Sequence, residues 1–128
     1  MAYLLGPKEK KSRALGVNLF LKAERSASQK SAMIRRPYRP GMHGKVRRGL
    51  SEYGYQLQEK QKLKLTYGLR EAQLKNYVRR ALSAKDITAT EALSRLLETR
   101  LDSLVFRAGF APSRSVARSI VSHGHIAV

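Results

Sequence analysis

The segment from Arg25 to Ser51 holds no acidic residue, yet Lys30, Arg35, Arg36, Arg39, Lys45, Arg47 and Arg48 accumulate in it, and Pro37, Pro40, Gly41, Gly44 and Gly49 interrupt it. Proline lacks a backbone N–H and fixes φ, and glycine loses the most freedom on folding, so neither a continuous helix nor a strand runs through these residues. Two readings remain: an arm that orders when a polyanion neutralises it, or a solvated linker. The imbalance extends to the whole chain, where 26 Lys and Arg stand against 9 Asp and Glu, a net charge of +17 over 128 residues. Like charge at this density weakens a compact state unless an anionic partner neutralises it. Nucleic acid fits better than an acidic membrane surface, because an interfacial helix needs a wide apolar face besides its charge.

Cys and Trp are absent, which excludes disulfides, thiolate catalysis and cysteine zinc sites. Met1-Ala2-Tyr3-Leu4-Leu5 gives way at once to Gly6-Pro7 and then Lys8 to Lys11. That leaves no apolar run long enough for a signal peptide or a spanning helix, and the expectation is a soluble intracellular protein with no membrane partner. The low aromatic content and the basic first half confine any hydrophobic core to part of the chain.

The short apolar segment Gly16-Val17-Asn18-Leu19-Phe20-Leu21 is enough to pin the arm to a core. Beyond the arm the pattern becomes helical. Ser51 is placed to cap a helix running to about Tyr67, where Gly68 supplies a left-handed stop. Along it Tyr53, Leu57, Gln61 and Leu65 fall four apart, with Gln56, Lys60 and Lys64 beside them: one stripe to pack, its neighbour to reach nucleic acid. A second helix over about Arg70 to Ala84 offers Leu74, Tyr77, Val78, Ala81 and Leu82 as its core face. Thr88-Ala89-Thr90-Glu91 reads as a capping box in which hydroxyl and carboxylate satisfy orphan amides reciprocally. The helix it opens carries Leu93, Leu96, Leu97, Leu101, Leu104 and Val105 inward until Gly109 ends it. Ala111-Pro112-Ser113 is a turn and N-cap for Arg114 to His123, whose inner residues are Val116, Ala117, Ile120 and Val121. Gly124 closes that helix, and His125-Ile126-Ala127-Val128 alternates like the start of a strand.

Glu52, Glu59, Glu71, Asp86, Glu91, Glu98 and Asp102 include no pair that a motif marks as acid and base, so the chain does not read as an enzyme. His43, His123 and His125 lack a companion carboxylate or thiol motif, and they suit hydrogen bonding to phosphate or base edges better than a metal. Lysine and arginine release counterions from each phosphate they neutralise, and arginine forks onto a phosphate or a guanine edge. Tyr38, His43 and Tyr53 are interleaved with those charges and are candidates to stack on splayed bases. For Tyr38, between arginines and prolines, stacking is favoured; for Tyr53, core packing competes equally. Arg100, Arg107, Arg114 and Arg118 bracket a compact helix-turn-helix. It reads either as a DNA recognition element or as a small RNA-binding module, and spacing does not decide between them.

Arg39-Pro40-Gly41-Met42-His43-Gly44 and the run from Leu50-Ser51-Glu52-Tyr53-Gly54-Tyr55 through Gln56-Leu57-Gln58-Glu59-Lys60-Gln61-Lys62-Leu63 closely resemble the signature of the ribosomal protein S four family. Tyr67-Gly68, Gln73-Leu74-Lys75-Asn76-Tyr77, Leu96-Leu97-Glu98-Thr99-Arg100-Leu101-Asp102, Arg107-Ala108-Gly109-Phe110-Ala111 and Ser113-Arg114 continue it, as do Ala117-Arg118, Val121-Ser122-His123 and Ile126. The similarity runs from Gly6-Pro7-Lys8 to the last residue. Synthetases and pseudouridine synthases carry a lone module of this type without the region from Gly6 to Lys85.

The resemblance implies a protein of the small ribosomal subunit that binds a multi-helix junction in the five-prime domain of the small-subunit ribosomal RNA early in assembly. It implies a place near the messenger entry and decoding region, ribosomal protein S five as a neighbour, and an influence on translational accuracy. The implied location is the cytoplasmic ribosome of a bacterial-type system, or an organellar matrix or stroma, with no homo-oligomer. A free-standing RNA chaperone, or an accessory of an RNA-modifying enzyme, is the alternative. Many members hold zinc with cysteines near the N-terminus; here Lys8, Lys11 and Ser12 occupy that stretch, so neither zinc nor another cofactor is expected. Members also continue beyond Val128 with further strands, which makes this chain a fragment or a naturally short form.

The expected fold is mainly α, the full family being α+β: a basic arm and anchoring segment over 1–50, a helical body over 51–92, and over 93–128 a helix-turn-helix and strand RNA-binding module, incomplete at its C-terminus. Residues expected to touch RNA are Arg35, Arg36, Arg39, His43, Lys45, Arg47 and Arg48 in the arm, and Tyr53, Gln56, Lys60 and Lys62 on the first long helix. In the module they are Arg100, Arg107, Ser113, Arg114, Arg118, Ser122, His123 and His125.

Overall fold

A computed structural model describes residues 6–46 and 49–128. Two compact units make up the chain, one ending at Thr66 and the other spanning Tyr67–Val128. Among the described residues every regular element is helical. The mainly α class is therefore as the sequence predicts.

In the first unit α1 (Lys8–Leu15) begins after Pro7, which suits a helix start because its missing N–H has no partner there in any case. It stops at Gly16, whose φ of +68° lets the amides of Gly16 and Val17 turn back to Arg13 O and Ser12 O at 3.3 and 3.2 Å. No apolar stripe announces this helix in the sequence; its buried residue is Ser12, whose Oγ accepts from Leu19 N. The segment after Gly16 is more ordered than its composition predicts. It carries two short helices, α2 (Ala23–Ala27), closed at its C-terminal end by the Ser28 hydroxyl on Arg25 O, and α3 (Ala32–Arg35), capped at its start. Ser31 Oγ accepts from Met33 N, and Glu9 Oε2 on α1 accepts from Ala32 N at 3.2 Å. From Arg36 to Gly49 the described backbone is irregular, as its prolines and glycines require.

The helix expected after Ser51 is α4 (Glu52–Thr66), with Ser51 Oγ accepting from Gly54 N at 3.2 Å and Gly68 at φ +60° beyond it. Gln58 Nε2 donates to Leu15 O at 2.6 Å, joining α4 to the end of α1. The face that packs is not the predicted one. Tyr53 is 72% exposed and Leu57 is exposed too, while Lys64, read as part of the outward stripe, is buried. The intended apolar stripe begins with a tyrosine and contains a glutamine, and Gly54 and Gln58 face the protein instead.

In the second unit α5 (Glu71–Leu82) pairs with α6 (Ala89–Glu98), and α7 (Leu101–Arg107) pairs with α8 (Arg114–Ser122). Leu69, Leu74, Ala81, Ala92 and Leu97 are buried. Val78 and Leu82, expected in that core, stay exposed. Val105, Ala111 and Ala117 form a second cluster, with Leu101, Phe106, Ile120, Val121 and Ile126 packed against it. Thr88 Oγ1 caps α6 by accepting from Glu91 N; the Glu91 carboxylate pairs with Arg95 one turn on.

Two expectations are corrected here. The single helix from Thr88 to Gly109 is broken at Thr99 and Arg100, so Leu104 is half exposed instead of inward. Thr99 Oγ1 folds back to Arg95 O, and Arg100 takes an extended conformation as the N-cap of α7. The strand expected at His125–Val128 does not form. Gly124 at φ +73° ends α8, Gly124 N and His125 N donate to Val121 O and Ile120 O, and an alternating tetrapeptide without a neighbouring strand has no ladder to join.

Candidate nucleic-acid interface

The arm is organised from α1 outward. Arg13 Nε donates to both Arg36 O and Tyr38 O at 3.0 Å, fixing the chain across the first proline, and its guanidinium lies 5.1 Å from the Tyr38 ring centre. Lys45 Nζ lies 5.6 Å from the same ring. Tyr38, read as a base-stacking residue, is thus already engaged by two cations of its own unit. These residues line a cleft of about 640 Å³ together with Met33, Arg39 and Gly44.

The two glycines of the Arg39–Gly44 motif have distinct physical reasons. Gly41 sits at φ +106°, which an L side chain rarely adopts. Gly44 packs so closely that a Cβ would run into the carbonyl of Arg39. Gly44 N donates to Gly41 O and Val46 N to His43 O, closing a tight turn that holds Arg39, His43 and Lys45 outward. Arg35 and Arg36 are exposed at the end of α3. Among the described residues none of Arg35, Arg36, Arg39, His43 and Lys45 has a carboxylate at ion-pair distance. Arg47 and Arg48 lie outside the described residues. On α4, Tyr53, Gln56 and Lys60 are exposed, and Lys62 is half-buried and paired with Glu59.

The second unit uses its arginines differently. Asp102, buried, receives Arg100 Nε at 3.0 Å and Nη2 at 2.9 Å, and Arg118 Nε at 2.8 Å. Arg118 also donates to the carbonyls of Tyr67 and Gly68, and Arg100 to Tyr77 Oη. Burial alone would raise the Asp102 carboxyl, but the hydrogen bonds from Arg100 and Arg118 outweigh it and hold the pKa below the ordinary value. Glu98 is the second hub. It accepts Nε and Nη2 of Arg107 at 3.1 and 2.9 Å and the Tyr67 hydroxyl at 2.5 Å, with Arg114 Nη2 at 3.5 Å. The Arg107 fork, opposed by burial and aided by Tyr67, takes its pKa down to about 2. The Tyr67 hydroxyl is pushed up, first by burial and then by this carboxylate. Arg114 lies between the rings of Tyr67 and Phe106, 4.8 and 4.7 Å from their centres.

Ser113 is buried and caps α8 through Val116 N; the Ser122 hydroxyl donates to Arg118 O. His123 and His125 are exposed with ring centres 6.2 Å apart. Among the described residues no group of three or more His, Cys, Asp or Glu is placed to hold a metal. No helix there is long and apolar enough to cross a membrane. Sequence reasoning missed Arg13, Asp102, Glu98 and Tyr67. Their roles rest on contacts that reach from 9 residues, between Glu98 and Arg107, to 51, between Tyr67 and Arg118, which no local motif signals.

Residues 3–98 match the Ribosomal protein S4/S9 N-terminal domain, and residues 99–128 match the S4 domain. The chain belongs to the ribosomal protein S4 family. It is 49% identical over 128 residues to the small ribosomal subunit protein uS4 of Petrotoga mobilis, covering all of this chain and 61% of that one. With the protein of the same name from Chlorobium luteolum it shares 50% over 129 residues, again all of this chain and 60% of the relative. The chain thus spans about three fifths of the length of these curated relatives. The two S4-family matches meet between Glu98 and Thr99, where α6 ends, and the two carboxylate hubs stand on either side of that break.

Proposed function

We propose that this chain is a structural, non-enzymatic constituent of the small ribosomal subunit that binds small-subunit ribosomal RNA directly. It nucleates assembly at a junction in the five-prime domain, lies beside ribosomal protein S five, and supports translational accuracy in a cytoplasmic ribosome. The observation that carries this reading is the division of the cations. Arg100, Arg107, Arg114 and Arg118 meet carboxylates within the second unit, whereas among the described residues the acid-free segment sets out Arg35, Arg36, Arg39 and Lys45 with none, His43 exposed beside them. A rigid turn carrying cations without internal counter-charges suits a polyanionic backbone. The family matches and the uS4 names of the relatives support RNA of the small subunit as that polyanion. In this reading the arm and α4 bind phosphate, and the helix-turn-helix supplies a pre-shaped surface through exposed His123, His125 and Arg107. Sucrose-gradient sedimentation of cell extract tests it: the chain should co-migrate with the small subunit at physiological salt. Recovery only in the free fraction would favour an RNA chaperone or accessory acting away from the ribosome.

A further inference from the structure

Phe20 is the non-glycine residue among those described whose backbone is left-handed, at φ +48°. A bulky L side chain is strained there and glycine is not. The conformation is imposed by neighbours. Asn18 Oδ1 accepts from Phe20 N at 3.1 Å, Asn18 Nδ2 donates to Ser26 O at 2.9 Å, and the buried Ser12 hydroxyl accepts from Leu19 N at 3.4 Å. Leu21, next along, is 8% exposed, but Phe20 remains 60% exposed. The expectation that Gly16–Leu21 pins the arm therefore holds for Leu21 and not for Phe20. A turn that keeps an aromatic ring in water against both strain and the hydrophobic effect is built to present that ring.

The surroundings are cationic. Lys22 lies two residues on, and the bond from Leu19 N to Ser12 Oγ sets the turn against α1, which carries Lys8 and Lys11; burial and then the charges of Lys22 and Lys11 lower the Lys8 pKa. An apolar pocket of a protein partner has no use for three clustered ammonium groups. A nucleotide uses both features, its base on the ring and its phosphate among the lysines.

We propose that Phe20 is a stacking platform for an unpaired RNA base, with the phosphate of the same nucleotide held among Lys8, Lys11 and Lys22. This rests on the RNA-binding reading above. The chain has no tryptophan, so Phe20→Trp introduces a single reporter. With a transcript of the small-subunit five-prime domain as probe, the full chain carrying F20W should bind as the parent does and lose emission on saturation. Phe20→Gly should weaken binding by about 5- to 150-fold, the range for one lost stack, while its melting temperature rises by a few degrees as the strain is relieved. Binding of F20G equal to the parent's, a lower melting temperature, or unchanged F20W emission at saturation would each overturn the platform while leaving RNA binding standing. Failure of the parent chain to bind the transcript would remove both readings.

Discussion

Asp102 and Arg118 lie sixteen residues apart in sequence, and the guanidinium Nε of one stands 2.8 Å from the carboxylate of the other. The pair ties the start of α7 to the middle of α8, and Arg100 closes on the same carboxylate from the break in the preceding helix. Asp102→Asn keeps the shape and removes the charge, leaving two half-buried guanidinium groups facing each other. Removing one partner of a buried pair costs about 3–5 kcal/mol; because both arginines retain some solvent contact, roughly 2–4 kcal/mol is expected here. Denaturant unfolding of the second unit should show it. Leu104→Ala, at a half-exposed site on the same helix, should cost under about 1 kcal/mol. Equal effects would place the stability of this pair of helices elsewhere.

Acid should loosen the same region. Glu98 is held at about 2 in the folded chain against an ordinary 4.5, and Asp102 is also lowered. A depressed carboxyl contributes stability that is present above its unfolded pKa and disappears as pH falls through its folded one. The loss should therefore run from about pH 4.5 down to about 2. Thermal melts across that window should fall steeply for the parent chain and less steeply for Glu98→Gln. Parallel curves would remove Glu98 as a source of the pH dependence.

What could be read from the sequence was local. Ser51, Thr88, Ser113 and Gly124 mark helix ends through bonds to residues a few positions away, Gly68 marks one by its positive φ beyond α4, and the structure places each of them there. The break at Thr99 was hidden because the leucines on either side keep helical spacing; it is held by Asp102, whose partners are Arg100 in the break itself and Arg118 on α8. α1 escaped notice because it buries a serine and not an apolar stripe, and α2 and α3 because helices of five and four residues rest on caps, not periodicity. Tyr53 had two readings, core or surface, and its exposure leaves it outward.

The two classes of cation should separate in a salt titration. Each phosphate contact contributes about 0.7–0.9 to the slope of log affinity against log salt. Changing Arg35, Arg39 or Lys45 to Ala should lower that slope by up to this amount with stability unchanged, because these residues are exposed. Lys62→Ala should lower it less, since Glu59 already neutralises that charge. Arg118→Ala should act mainly on stability through Asp102 and the Tyr67 carbonyl. A full-sized slope change for Arg118 with an intact melt would reverse this assignment.

Tyr53→Ala isolates the stacking contribution on α4. The ring is 72% exposed, so its removal should leave the melting temperature within a degree or two, whereas loss of a stacked base costs about 1–3 kcal/mol of RNA affinity. Lowered stability with unchanged affinity would return Tyr53 to a packing role.

The turn that presents Arg39, His43 and Lys45 depends on the absence of a single carbon. At Gly44 a Cβ would run into the Arg39 carbonyl, a backbone atom that cannot swing aside as a side-chain tip can, so Gly44→Ala must open the turn between Gly41 and Val46. Opening it displaces Arg39 and Lys45 at the cleft they line beside Tyr38, while the bonds from Arg13 on α1 to the Arg36 and Tyr38 carbonyls lie outside the turn. The expected result is a roughly tenfold loss of RNA affinity, about 1.4 kcal/mol, with little change in the main melting transition. Gly54→Ala is the internal comparison. Its added carbon meets the Leu50 side chain at 3.4 Å, an ordinary contact, and in the first turns of α4 it should raise stability by about 0.5–1 kcal/mol without weakening binding. If Gly44→Ala binds RNA as tightly as the parent chain, the geometry of this turn is not what the RNA reads, and the arm acts through its charge alone.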